Sequence, residues 1–85
     1  MRTCRIDGRQ RTKTAVLRKV ARDLGSDRPI RNLDALYDVL RRDVAGPIQI
    51  LWRPSAALGD EGPRIAAVLR EVAAERDDVL LRDDS

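Results

Sequence analysis

The run Ile48-Gln49-Ile50-Leu51-Trp52 constrains this chain more than any other segment. Gly46-Pro47 precedes it and Arg53-Pro54 follows, so it has room for a strand and not for a helix. Its β-branched, nearly continuous apolar character suits the centre of a sheet, which wants apolar residues on both faces. On either side the apolar spacing changes to the helical period. Val16, Leu17, Val20, Ala21 and Leu24 form one stripe, with Thr12 or Thr14 as its cap and Gly25 as its stop. Asn32 is a suitable N-cap for a second helix with Leu33, Leu36 and Leu40 inward and Val39 or Val44 flanking. A third helix carries Ile65, Val68, Leu69 and Val72, with Asp60 placed to cap it and Pro63 in its first turn. Thr3 to Ile6, closed by Asp7-Gly8, reads as a first strand. Asp77-Asp78 reads as a turn before a last strand, Val79 to Leu81, which frays into Arg82-Asp83-Asp84-Ser85. Strands separated by helical crossovers run parallel. The expected fold is α/β: a three-stranded parallel sheet packed with about three helices, in the order β-α-α-β-α-β, in a single domain over residues 1–85.

What such a domain can do is narrowed by what it lacks. With no His, it has neither the commonest general base nor the commonest metal ligand, so no metal site and no cofactor is expected. Cys4 is the one cysteine; it lies in an expected strand with nothing to activate it, and it fits a reducing compartment. Gly59 and Gly62 lack the spacing and the following Lys of a phosphate loop. The first fifteen residues carry five cations and no apolar run, so no secretory signal is read there, and no stretch is apolar enough to span a membrane. A cytoplasmic, monomeric, non-enzymatic protein is the expectation.

Charge is distributed unevenly. Residues 1–31 hold ten Arg/Lys against three Asp, and residues 32–85 hold seven Arg against eleven Asp/Glu, for a net +3. Within the acidic part, Asp34 and Asp38 fall one turn apart on the second helix. Like charges at that spacing destabilise a helix by about 0.2–0.5 kcal/mol, so a pair kept on a wet face suits a cationic ligand. The plainer alternative makes Asp34 a first-turn acid favoured by the helix dipole and pairs Asp38 with Arg42. Tyr37, beside both, offers contact area with few torsions to freeze, or else a half-buried rim of the core.

Asn32-Leu33-Asp34-Ala35-Leu36-Tyr37-Asp38-Val39-Leu40 resembles the second-helix motif of the barstar family of intracellular ribonuclease inhibitors. Further along, Ile6-Asp7-Gly8 is similar to that family's first strand and turn, Ile50-Leu51-Trp52-Arg53 to its Trp-Arg strand end, and Leu69-Arg70-Glu71 to its third-helix Arg-Glu. The resemblance implies an inhibitor of a secreted microbial-type ribonuclease. It makes Asp38 the principal phosphate mimic, Asp34 its support, Tyr37 the interface aromatic and Glu71 a further acidic contact.

The loop before the motif departs from that pattern. In the family it presents an apolar, aromatic-bearing surface to the enzyme; here Arg28, Ile30 and Arg31 stand in that contact position, with two positive charges and no aromatic. Either the partner enzyme is acidic, or the target has changed to a protein that is not a ribonuclease. Nucleic-acid binding through the Arg-rich first third is the remaining class, and the absence of interleaved aromatics argues against it.

Overall fold

Parallel pairing of three strands organises the molecule, whose computed structural model describes residues 1–83. The order is β1 (Arg2–Ile6), α1 (Lys13–Asp23), α2 (Leu33–Asp38), β2 (Ile48–Trp52), α3 (Glu61–Glu75) and β3 (Val79–Asp83). The sheet order is β1-β2-β3, with Cys4 opposite Ile50 and Ile50 opposite Leu81. Arg82 and Asp83 belong to β3 and are not the start of a frayed tail; Asp84 and Ser85 lie outside the described residues.

The apolar stripes meet one face of this sheet. Cys4, Ile6, Ile48, Ile50, Trp52 and Val79 are buried there against Val16, Val20, Leu36, Leu40, Ile65, Leu69 and Val72. The opposite face, with Thr3, Arg5, Gln49, Leu51, Leu80 and Arg82, is at most half-buried, and Leu80 is 49 % exposed. The expectation of a central strand buried on both sides is corrected by this arrangement. Two right-handed crossovers stepping the same way across a sheet fall on the same side of it, so the helices cover one face only.

Local signals set most helix ends. Thr12 Oγ1 accepts the amide of Ala15 at 3.0 Å, so Thr12 is the cap and Thr14 is not. Gly25 ends α1 with a left-handed φ of 69°, where a Cβ would also collide with the Arg2 guanidinium that donates to Leu24 O at 2.7 Å. Asp60 precedes α3 but makes no side-chain capping bond. Its own backbone is already helical, following a 3₁₀ turn at Ala56–Leu58. Leu33 and Val68, expected inward, are only half-buried, because they border a groove between α2 and α3.

The second helix changes winding. After Asp38 the chain continues as a π-helical turn, Val39–Asp43, closed by Val44 N–H donating to Val39 O at 3.1 Å. Both candidate flanking residues, Val39 and Val44, are thereby buried. One carbonyl of this turn and that of the residue closing it are satisfied from α3's end. Arg76 Nη1 donates to Leu40 O at 2.6 Å and to Val44 O at 2.9 Å, while its Nε and Nη2 reach Asp78 at 2.9 and 2.8 Å. Gly46 lies flush against that ion pair, and a Cβ there would collide with the Asp78 carboxylate.

Candidate functional site

Asn32 decides where the acidic face begins. Its backbone is extended, its Oδ1 accepts Ala35 N–H at 2.7 Å, and its carbonyl accepts Leu36 N–H at 3.0 Å. The first helical residue is therefore Leu33, and Asp34 and Asp38 project from successive turns. Both are exposed, and neither has a hydrogen-bond or ion-pair partner among the described residues. Asp38 does not pair with Arg42. The α-helical i,i+4 stacking does not carry across the junction, because the chain winds as a π-turn from Val39 onward.

Tertiary packing adds a third carboxylate. Leu33, Asp34, Tyr37 and Asp38 of α2 face Val68 and Glu71 of α3 across an open groove of about 570 Å³. Its floor is apolar, from Leu33 and Val68, and its rim carries three carboxylates with a phenol among them. An extended cationic group entering from outside would meet oxygen acceptors on both helices and a small apolar bed beneath them.

Tyr37 is held in place from α3. Its hydroxyl donates to the Glu75 carboxylate, and Arg41 closes the trio, with its guanidinium 5.7 Å from the ring centroid and its Nε 3.5 Å from Glu75 Oε2. The bond to Glu75 raises the phenol above its ordinary pKa; partial desolvation adds to this, while Arg41 opposes it. Sequence reasoning missed Glu75 and Arg41. The available signal for Glu75 was its i,i+4 relation to Glu71, which repeats on α3 the spacing of Asp34 and Asp38 on α2. Glu75→Ala is expected to lower the titration midpoint of Tyr37, the only tyrosine, with little change in stability, as for other exposed pairs. Absorbance titration of the phenol alongside denaturant unfolding checks both.

The loop residues expected at the same surface go elsewhere. Ile30 is 6 % exposed and belongs to the core, and the exposed Pro29 and Arg31 flank it. Arg28 pairs with Asp43 at the end of the π-turn. Arg28, Ile30 and Arg31 line a different groove, of about 650 Å³, against Arg18 and Arg22 of α1. The candidate residues thus divide into an anionic set (Asp34, Tyr37, Asp38, Glu71) and a cationic set (Arg28, Arg31), adjoining at Asn32-Leu33.

Cys4 is buried, and desolvation, with Asp23 adding to it, pushes its thiol up to about 12, so it stays protonated. Among the described residues no cluster of three or more potential ligands could hold a metal, and no helix is long and apolar enough to cross a membrane. The sequence matches the family model described as Barstar (barnase inhibitor) over residues 1–83. No curated protein matches it.

Proposed function

The chain belongs to the barstar family, whose members are non-catalytic inhibitors of barnase-type ribonucleases, and on that premise we propose that it blocks a ribonuclease active site with the groove between α2 and α3. The observation that carries this reading is the set of three carboxylates, Asp34, Asp38 and Glu71, exposed around one groove. Asp34 and Asp38 stand without partners among the described residues. A ribonuclease must bind phosphate, so its cleft is lined with cations. Carboxylate oxygens can accept the same charge-assisted hydrogen bonds as phosphate oxygens. In the free inhibitor the carboxylates repel one another; docking against cations replaces that repulsion with attraction and speeds encounter.

Each residue then has a role. Asp38, on the turn that ends α2, enters deepest as the phosphate mimic; Asp34 supports it from the turn before; Glu71 reaches across from α3. Tyr37, fixed by Glu75 and Arg41, presents a rigid aromatic surface whose torsions are already frozen before binding. Such an inhibitor acts where the enzyme is synthesised, which places it in the cytoplasm, and no small molecule or cofactor takes part.

Titration of barnase with this protein in the presence of a dinucleotide substrate tests the reading. The expected result is a 1:1 endpoint with inhibition that rising substrate relieves. A complex that leaves dinucleotide hydrolysis intact would mean that the groove does not cover the active site.

A further inference from the structure

We infer that the partner ribonuclease carries, beside its cationic cleft, an acidic segment that docks in the groove between α1 and the loop at residues 26–31. The inference rests on the inhibitor reading above and specifies the partner's surface. That second groove is lined by Arg18 and Arg22 from α1 and by Arg28 and Arg31 from the loop, with Asp27 as its one carboxylate. Arg18 and Arg31 are exposed and have no ion-pair partner among the described residues, and Arg22 makes only a 3.6 Å contact with Asp23 while its side chain stays 74 % exposed. Leu17, Ala21 and Pro29 give the groove an apolar bed, so it is shaped for a chain segment and not only for an ion.

The two grooves follow each other along the chain, the cationic one lined as far as Arg31 and the acidic one from Leu33. Arg31 and Asp34 are three residues apart, a span of at most about 11 Å, close to the roughly 8 Å screening length at physiological ionic strength. Each patch therefore acts on the surface directly opposite it. A uniformly basic enzyme would be drawn to Asp34, Asp38 and Glu71 and repelled by Arg18, Arg22 and Arg31. A partner with a cationic cleft and an acidic flank is attracted by both, and like-charge contact discriminates against the uniformly basic one. A nucleic acid does not fit as well. A phosphate chain leaving the cationic groove toward α2 would meet three carboxylates, and no aromatic lines that groove for a base to stack on.

The test measures association rates at low and physiological salt for this protein with barnase and with a barnase variant whose surface cations flanking the cleft are replaced by Glu. The acidic-flanked enzyme is expected to associate at least about tenfold faster at low salt, within the range that steering provides. Arg18→Glu/Arg31→Glu should abolish or invert that preference. Asp38→Ala should weaken both complexes and leave the preference unchanged. An equal preference in the wild type and the double arginine variant overturns the acidic-flank inference and leaves inhibition standing. If neither enzyme binds, the inhibitor reading fails and takes this inference with it. Binding of hexauridylate at physiological salt that the double variant loses would make RNA the occupant and also overturn the inference.

Discussion

Asp38→Ala is expected to weaken binding to a barnase-type ribonuclease by at least about 2 kcal/mol, roughly 30-fold in Kd, while leaving the protein slightly more stable. The two effects have opposite signs because Asp38 has no partner within its own molecule. It is exposed and makes no hydrogen bond or ion pair among the described residues. Removing it breaks nothing in the fold, and it relieves the i,i+4 repulsion with Asp34, worth about 0.2–0.5 kcal/mol. On the proposed mechanism, the same side chain would face the cations that otherwise hold phosphate, and its loss would leave them desolvated and unpaired. Asp38→Asn keeps the shape and removes the charge, so it should lose nearly as much. Inhibition titrations paired with urea unfolding of the free protein measure both halves. Unchanged inhibition by Asp38→Ala would remove Asp38 from the binding surface.

Arg76→Met should destabilise the fold by about 2–4 kcal/mol, a large share of the roughly 4–13 kcal/mol that a chain of 85 residues commands. Methionine can replace the aliphatic stem but not the donors. The Arg76 side chain is 17 % exposed, and its guanidinium serves Leu40 O of the π-turn and Val44 O just after it, as well as both Asp78 oxygens. Without it those part-buried acceptors lose their partners, and Asp78 loses the cation that orders the turn into β3. Lysine cannot restore the fork, so Arg76→Lys should recover only part of the loss.

The same pair gives an acid dependence. Hydrogen bonding to Arg76 holds the Asp78 carboxyl below its ordinary pKa. A carboxyl with a depressed folded-state pKa stabilises the protein above the ordinary carboxylate range, and that contribution fades as pH falls through and below it. The acid-side stability difference between wild type and Arg76→Met should therefore narrow as pH falls. A constant difference would show that Asp78 takes no part.

Several features are legible in the sequence alone. Asn32 read as a cap, and the first cap was narrowed to Thr12 or Thr14, because an N-cap bond reaches only three residues along the chain. Ile48–Trp52 read as the middle strand because its composition suits no other place. Helical spacing put Asp34 and Asp38 on adjacent turns. The π-turn left no comparable trace, since burying Val39, Leu40 and Val44 satisfies either winding in the pattern of apolar letters alone. The burial of Ile30 was not legible for a related reason: a lone apolar residue in a loop gives no period from which to read its direction.

By itself the sequence determined the strands, most of the helix starts and the spacing of the paired aspartates, all products of contacts within a few residues. Only the tertiary structure decided that Glu71, expected as an acidic contact from the family resemblance alone, lines one groove with Asp34 and Asp38, that Glu75 holds Tyr37, and that Arg76 closes the π-turn. The bonds from Tyr37 to Glu75 and from Arg76 to Leu40 span 38 and 36 residues. Such bonds follow from how two right-handed crossovers stack their helices on one side of a sheet. No local periodicity records that geometry: spacing made the acidic face readable as a pair, Glu71 entered only through the family resemblance, and the gathering of Arg28 and Arg31 with Arg18 and Arg22 in one groove was not legible.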